Sequence, residues 1–376
     1  MGLSIGIVGL PNAGKSSLFN ALTRASVAVA SYPFTTIEPH HGIAAVPDPR
    51  IAAVASVTHP ERTVPATVDF IDIAGLVRGA SRGEGLGNQF LAHIREVSAI
   101  AHVVRCFEAA DVPHVEGGVD PVRDIEIVEA ELALADLATV EREIERTHTR
   151  VRAHDPHAPE DLAHLKELRD ALQRGIPVRR WTGRDHRAAD GQRAARDRRA
   201  ALVQPLRLLT AKPVVFVANV SEADLPGGGQ AAERVRVCAG AADAETVVLA
   251  ARLEAEAAAL PEDEAIEFLR AYGLRESGLA ALARCAYRLL RLITFFSTAS
   301  KEVRAWSVPE GTTAPAAAGE IHTDMERGFI RAEVVNWEVL LRAGSLRAAH
   351  DHGQVRLEGK DYVMQDGDVV QFRFAT

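Results

Sequence analysis

The stretch that most constrains this chain is Gly9 to Ser17, which fits the pattern G-x-x-x-x-G-K-[ST]. The apolar run from Leu3 to Leu10 is typical of a buried strand, and the residues after Ser17 place apolar side chains at helical spacing. Glycines let backbone N–H groups converge on a polyphosphate, and the following helix presents the positive end of its dipole. The pattern predicts a nucleoside triphosphate site. A chance glycine-rich turn is the alternative.

Each side chain of this loop has an expected task. Lys15 would neutralise the β and γ phosphates and so take part in catalysis, and Ser16 Oγ would ligate Mg²⁺. The residues expected to contact the nucleotide here are Asn12, Ala13, Gly14, Lys15, Ser16 and Ser17.

Composition sets limits on the whole chain. Its 376 residues suggest two or three domains, and its net charge of −8 argues against a uniformly basic surface that coats nucleic acid. Cys106, Cys238 and Cys285 match no metal-ligand spacing, so buried reduced thiols are expected. No apolar run approaches the ~18 residues of a membrane span, and the N-terminus lacks the features of a secretion signal. A cytoplasmic protein without a membrane partner is therefore expected.

The order of predicted elements gives the domain organisation. Strands alternating with helices predict an α/β domain with a doubly wound, mostly parallel sheet, over residues 1–127 and 205–290. Apolar residues at spacings of four and three between 133 and 172 predict an inserted antiparallel helical hairpin, residues 128–204. Short strands and turns from about Ile293 predict a small α+β domain, residues 291–376, with a tight turn between two strands at Gln365 to Asp368.

Two further motifs belong to a GTPase-like site. A hydroxyl from a mobile loop must reach Mg²⁺ and the γ-phosphate, and Thr35 and Thr36 are both candidates. Asp72-Ile-Ala-Gly75 follows a predicted strand, so Asp72 is expected near the metal and the Gly75 N–H near the γ-phosphate.

Two positions depart from the usual GTPase pattern. Leu76 stands where a glutamine often orients the attacking water, so turnover is slow or another group, of which His114 is one candidate, positions the water. By itself a histidine in a loop is more often a surface residue. At the base-binding strand end, Asn219-Val-Ser-Glu222 replaces N-K-x-D, which predicts lost guanine selectivity. We expect ATP to be preferred, through the Asn219 side chain, the Val220 backbone and Glu222.

These features together resemble the YchF family, the Obg-like ATPases among the translation-factor-related P-loop NTPases. The similarity extends over nearly the whole chain and rests on motifs at Gly9–Ser17, Tyr32–Pro39, Asp72–Gly79, Gly85–Asn88, Val119–Ile127, Asn219–Glu222, Lys301–Trp306, Ala317–Asp324, Gly328–Glu333, Gly359–Tyr362 and Asp366–Asp368. The resemblance implies an OBG-type G domain that binds ATP better than GTP, a coiled-coil insertion, and a C-terminal TGS domain of β-grasp shape.

The resemblance also implies roles for single residues. It favours Thr36 over its neighbour as the third metal ligand beside Ser16 and Asp72. It assigns water positioning to His114, and it associates a hydrophobic residue at the position of Leu76 with weak hydrolysis. It also relates Asn12 to a monovalent cation, so K⁺ is an additional cofactor to test. The partner that it implies is the ribosome, through rRNA and proteins of the large subunit, with no DNA and a monomeric chain.

The sequence thus predicts an Mg²⁺-dependent, slow ATPase that acts as a switch on the ribosome. Two alternatives stay open: a nucleotide-gated binding module with negligible hydrolysis, and a GTP-selective switch. The run from Arg179 to Arg199, which is rich in arginine, is either a solvated helical face or a contact surface for phosphate.

Overall fold

The computed structural model describes residues 3–27, 41–73, 79, 86–181, 198–298 and 301–375. Its strands are β1 (Ser4–Val8), β2 (His41–Ala45), β3 (Arg62–Val64), β4 (Thr67–Asp72), β5 (Ala99–Cys106), β6 (Val214–Val220), β7 (Glu245–Leu249), β8 (Leu292–Thr298), β9 (Glu302–Pro309), β10 (Phe329–Asn336), β11 (Arg356–Glu358) and β12 (Asp368–Phe374).

The helices of the same residues are α1 (Lys15–Val27), α2 (Pro49–Thr58), α3 (Leu86–Glu96), α4 (Pro121–Arg152), α5 (Ala158–Gln173), α6 (Val178–Trp181), α7 (Gly229–Ala241), α8 (Ala251–Ala257), α9 (Glu262–Ala271), α10 (Gly278–Leu289), α11 (Ala314–Ile321), α12 (Thr323–Arg327), α13 (Trp337–Ala343) and α14 (Leu346–Asp351). Three short 3₁₀ turns occupy Gln204–Leu206, Leu209–Ala211 and Glu222–Asp224.

The first sheet has the strand order β2-β4-β1-β5-β6-β7. Strand β5 pairs in parallel with β1 and with β6, and β6 pairs in parallel with β7. Strands β1, β5 and β6 are buried along their whole length, as expected for the mostly apolar central strands of a parallel sheet. The expected α/β fold of a P-loop NTPase is confirmed. The strand order reverses at β1, and ligands of such sheets bind beyond the carboxyl ends of the strands at that point.

The predicted helical hairpin is formed by α4 and α5. Val140 and Ile144 of α4 pack with Leu165, Leu168 and Leu172 of α5, so the predicted apolar seam is confirmed. Helix α4 begins at Pro121, before the predicted start of the insertion at residue 128, because Asp120 caps its N-terminus and accepts hydrogen bonds from two backbone amides of the first turn. Its first half packs in the core of the nucleotide-binding sheet and its second half in the hairpin.

A buried carboxyl group fixes the root of this hairpin. Asp136 of α4 is fully buried, and its oxygens accept from Leu209 N at 2.7 Å, Thr210 N at 2.8 Å and Thr210 Oγ1 at 2.8 Å. Thr210 Oγ1 in turn accepts from Val178 N at 3.0 Å. The long helix is thereby tied to the turn that leads into β6.

The second sheet has the order β11-β10-β12-β8-β9-β3 and is mixed, because β12 and β8 run in parallel while β8 and β9 run antiparallel. The expected strands near 293, 302 and 328 are present, and Phe295, Val308 and Phe372 belong to the buried core. Of the two strands predicted to flank Gln365 to Asp368, the downstream one is present as β12, and the prediction of an upstream strand is wrong. Met364 N bonds to Thr312 O at 2.9 Å, so the upstream segment joins residues 312–313 through an isolated bridge at Val363.

The segment 43–69 belongs to the same compact unit as residues 279–376. Its strand β3 pairs in parallel with β9, with Arg62 opposite Glu302. Arg50 at the start of α2 lies between two carboxylates, with Nη2 at 2.8 Å from Asp48 Oδ2 and Nη1 at 2.7 Å from Asp366 Oδ2. Residues 43–69, which lie between α1 and the Asp72 motif, therefore belong with the C-terminal residues in one unit.

Two other predictions concern membrane-spanning helices and the three cysteines. None of the helices within the described ranges is both long and apolar enough to cross a membrane. Cys106 and Cys285 are buried free thiols as expected, whereas Cys238 is half-buried.

Candidate nucleotide-binding site

The glycine-rich loop connects β1 to α1, as predicted, and two of its glycines are required by close contacts. A Cβ atom at Gly9 would collide with the carbonyl oxygen of Val103 on β5. Gly14 has φ +95°, and a Cβ atom there would collide with Nδ2 of Asn219. Both positions therefore need glycine for packing as well as for backbone conformation.

Lys15 lies within this loop with its side chain largely buried. Its Nζ donates to Gly9 O at 3.0 Å and to Leu10 O at 2.8 Å, and the residue is 7% exposed. Burial lowers the pKa of this ammonium group to about 8, and the charge of Asp72 acts in the opposite direction. The ammonium group is thus held inside the loop by two backbone carbonyl oxygens.

The first turn of α1 presents groups that suit phosphate and metal. Ser16 and Ser17 are exposed there, the turn contains no acidic residue, and Leu18 N begins the helical hydrogen bonding to Gly14 O at 2.9 Å. Amides and hydroxyls at a helix N-terminus favour an anion. No group of three or more His, Cys, Asp or Glu residues that could hold a metal occurs among the described residues.

Asn219, at the end of β6, connects the phosphate loop to the N-terminus of α8. Its Nδ2 donates to Ala13 O at 2.9 Å and its Oδ1 accepts from Ala251 N at 3.0 Å. The side chain is buried, with the residue 4% exposed. The same amide that was expected to face the base therefore holds the phosphate loop against the start of α8.

The rest of the Asn219-Val-Ser-Glu222 segment forms a short turn. Val220 is buried, and Glu222 is half-buried at the start of the 3₁₀ turn that ends at Asp224. Ser221 Oγ donates to Asp224 Oδ2 at 2.6 Å. The hydroxyl at the position of the usual lysine is thus bonded within its own turn.

His114 lies in the loop after β5, and its interpretation as a plain surface residue is wrong. Its side chain is 5% exposed, and Nε2 lies 2.7 Å from Asp124 Oδ2 of α4. Its Nδ1 accepts from Glu116 N at 3.0 Å. Asn12, which has a left-handed backbone with φ +63°, donates from Nδ2 to Pro113 O at 3.0 Å. The P-loop therefore contacts the residue next to His114.

Asp124 was missed in the sequence. The sequence gives little indication of its role, because Asp124 lies four residues after the capping Asp120 and acidic side chains are common in the first turn of a helix.

The remaining predicted residues are only partly described. Asp72 ends β4 beside β1, where Ile73 N donates to Ile7 O at 3.3 Å. Gly79, further along the same motif, donates from its N–H to Glu131 Oε1 of α4 at 2.7 Å. Thr35, Thr36, Gly75 and Leu76 lie outside the described residues.

The arginine-rich run is described only at its ends. Arg179 is 8% exposed and lies 2.7 Å from Glu129, so it is neither a solvated side chain nor a surface contact. Arg198 and Arg199 pair with Glu160 and Glu167 of α5. These three arginines are compensated within the hairpin, while residues 182–197 lie outside the described part of the chain.

Comparisons with known proteins give a consistent result. A family profile described as "50S ribosome-binding GTPase" matches residues 4–151, and the profile for the C-terminal part of YchF GTPases, described as a protein of unknown function (DUF933), matches residues 292–375. The chain is 46% identical over 376 residues to the ribosome-binding ATPase YchF of Bacillus subtilis strain 168, covering 100% of both chains.

Two further relatives extend the comparison. The ribosome-binding ATPase YchF of Escherichia coli O157:H7 is 46% identical over 374 residues, which cover 100% of this chain and 99% of that protein. The structure of the Schizosaccharomyces pombe YchF GTPase matches with a TM-score of 0.84 and 34% identity, over 99% of this chain and 97% of that one.

Proposed function

This chain belongs to the YchF family, and on that premise we propose that it is a ribosome-binding ATPase that prefers ATP to GTP. The observation that carries the proposal is the buried Lys15, held in the loop directly before the N-terminal turn of α1. A buried ammonium at that place is unfavourable unless an anion joins it, since burial lowers its pKa, to about 8 even with the opposing charge of Asp72 nearby.

At the phosphate end, Lys15 would leave the carbonyl oxygens of Gly9 and Leu10 for the β and γ phosphates of the substrate. The amides of Ala13 to Ser17 would cradle those phosphates. Ser16, Thr36 and Asp72 would hold Mg²⁺, which when bound neutralises charge that develops on the phosphates. The Gly75 N–H would sense the γ-phosphate, and Asn12 would border a K⁺ site.

At the base end, ATP preference follows from hydrogen-bonding chemistry. A guanine-selective site needs a carboxylate that accepts from two guanine donors, while adenine presents an acceptor at N1. Here Ser221 replaces the usual lysine and is bonded to Asp224. The Val220 backbone would contact adenine, with Glu222 at the edge of the base, while the Asn219 side chain would support the phosphate loop of the same site.

Hydrolysis would be slow, because Leu76 has no group to orient water and His114 takes that task. A nucleotide-gated binding module with negligible hydrolysis is the second candidate. It is favoured by one observation, namely that both ring nitrogens of His114 are engaged by protein atoms.

The proposal extends to the whole chain. The nucleotide-binding domain comprises residues 1–127 and 205–290, the helical insertion 128–204 and the TGS domain 291–376, with β3 added to the sheet of the latter. The insertion and the TGS domain would bind the large ribosomal subunit, through rRNA and ribosomal proteins, as a cytoplasmic monomer. Phosphate contacts would make this binding weaker at high salt.

Calorimetry and ribosome sedimentation test the two parts of the proposal. ATP should bind more tightly than GTP, and the protein should pellet with ribosomes at about 0.1 M salt and less at about 0.5 M. Equal or tighter binding of GTP would overturn the base preference. Sedimentation that is absent, or that does not respond to salt, would overturn the ribosome-binding mechanism.

A further inference from the structure

The contact between His114 and Asp124 is a buried hydrogen bond that no motif of the nucleotide site explains. The side chains are 5% and 4% exposed, and Nε2 and Oδ2 are 2.7 Å apart. Asp124 belongs to the first turn of α4, and its other oxygen, Oδ1, accepts from Arg123 Nη2 at 3.0 Å. The carboxylate is therefore oriented on both sides.

The partners of the imidazole define its protonation pattern. Glu116 N donates to Nδ1 at 3.0 Å, so Nδ1 carries no proton. The proton of a neutral ring is then on Nε2, where it is donated to Asp124. A ring with both nitrogens bonded in this way has no site left to orient a water molecule.

The loop that carries His114 is held at several other points. Arg105 Nη2 donates to Val112 O at 2.7 Å and Asn12 Nδ2 donates to Pro113 O at 3.0 Å. Arg123 Nη1 donates to Glu116 O at 3.2 Å, and its Nη2 donates to Gly118 O at 2.5 Å. The backbone is fixed on both sides of His114, so the imidazole must leave Asp124 by rotation of its side chain or by release of these bonds.

We propose that Asp124 is a positioning residue that holds His114 in a latched state and thereby restrains hydrolysis. This inference rests on the proposed role of His114 in positioning the attacking water. The latch is the hydrogen bond between Nε2 and Asp124 Oδ2. Because Asp124 lies on α4, which continues into the hairpin, a partner that binds the hairpin has a direct connection to the latch.

Phosphate release from full-length protein with saturating ATP is the first test. Because the hydrogen bond that holds His114 is lost, Asp124→Ala should raise turnover on the order of ten-fold. Asp124→Asn, which keeps the volume and can still accept from Nε2, should give a smaller increase. His114→Ala combined with Asp124→Ala should turn over no faster than His114→Ala alone.

Asp120→Ala is the matched control, because Asp120 caps the same helix but has no contact with His114 among its bonds to Val122 N, Arg123 N and Arg234. Its turnover should stay within about two-fold of wild type, since a lost cap affects mainly stability. A rise equal to that of Asp124→Ala would mean that a loosened helix start is responsible, and would overturn the latch. A fall of Asp124→Ala to the level of His114→Ala would overturn it as well, because Asp124 would then support hydrolysis.

Nitrogen NMR of histidine-labelled protein provides a readout that does not depend on hydrolysis. With His114→Ala used for assignment, wild type should show a protonated Nε2 and an unprotonated Nδ1 for His114, and Asp124→Ala should shift both signals. Identical His114 signals in the two proteins would contradict the latch. If the signals shift and Asp124→Ala hydrolyses ATP while wild type does not, the latch stands and the proposed ATPase activity of the wild-type chain fails. If the signals shift and neither protein hydrolyses ATP, the latch is overturned too.

Discussion

Asn219 shows at the scale of one residue how the site is assembled. Its amide accepts from the start of α8 and donates to Ala13 of the phosphate loop, and the absence of a side chain at Gly14 makes room for it. An isosteric carboxylate could still accept from Ala251 N but would face the Ala13 carbonyl with a lone pair. A buried polar group left unsatisfied in this way costs about 1–3 kcal/mol.

We therefore predict that Asn219→Asp weakens ATP and GTP binding by a similar factor, on the order of ten-fold or more. The reason is that the phosphate loop loses its support, which affects both nucleotides alike. Calorimetry of the variant with each nucleotide measures the two factors, and Glu222→Gln serves as the control at the rim of the base site. A loss confined to ATP would mean that Asn219 acts on the base and that its bond to the loop contributes little.

At the scale of elements, the ion pair of Arg50 fastens the segment 43–69 to the turn before β12. Arg50 also lies over the ring of Phe296, 5.8 Å from its centroid, and Asp366 accepts from Thr294 N at 2.9 Å. The two carboxylates raise the pKa of the guanidinium above its usual value, although burial opposes them. The pair therefore belongs to a network, in contrast to isolated surface pairs.

A double-mutant cycle of Arg50→Ala and Asp366→Ala should give a coupling free energy of about 1 kcal/mol. The free energy of unfolding of the C-terminal unit in urea provides the measurement. Arg291 and Glu310, which are 77% and 62% exposed, form the control pair, whose coupling should be close to zero. Equal coupling in both cycles would show that the network adds nothing to a surface contact.

Asp136 gives an element-scale prediction about pH. Burial raises the pKa of this carboxyl group to about 6, although three donors stabilise its ionised form. A carboxyl group whose pKa is higher in the folded than in the unfolded state loses stabilising effect as pH rises through the folded pKa. The stability of wild type relative to Asp136→Asn should therefore fall by about 2 kcal/mol between pH 4 and pH 7.

Amide hydrogen exchange at Leu209 and Thr210 measures the change in stability close to Asp136. Comparison with Asp136→Asn subtracts the pH dependence that all other groups contribute to both proteins. The difference between the two proteins should level off above about pH 7. A difference that stays constant or grows with pH would mean that the three donors keep Asp136 ionised throughout.

At the scale of the whole molecule, the C-terminal unit is not separable at residue 291. Strand β3 and Arg50 come from the segment between two nucleotide-site motifs, yet they pair with β9 and Asp366. Removal of residues 291–376 would leave β3 without its partner strand and Arg50 without Asp366. Point substitutions on the C-terminal unit therefore test ribosome binding better than a truncation does.

Sequence patterns predicted the elements whose signals are local and long. The phosphate loop, the strands β5 and β6 and the α4–α5 seam follow from contiguous apolar runs and helical periodicity. Strand β3 has only three residues and pairs with a strand about 240 residues away, so no local sequence pattern predicts it. The burial of His114 depends on Asp124 in the same way, since a tertiary contact decides it.

The measurement that tests the central claim most directly is phosphate release by wild type and Lys15→Ala with ATP and with GTP, in Mg²⁺ and K⁺. Wild type should hydrolyse ATP slowly but faster than GTP. Turnover of Lys15→Ala should fall roughly 30- to 150-fold, or about 2–3 kcal/mol in transition-state stabilisation, because one charged donor to the phosphates is lost. Circular dichroism of the variant confirms that it is folded. Wild-type release no faster than that of Lys15→Ala, or faster with GTP than with ATP, would contradict the account.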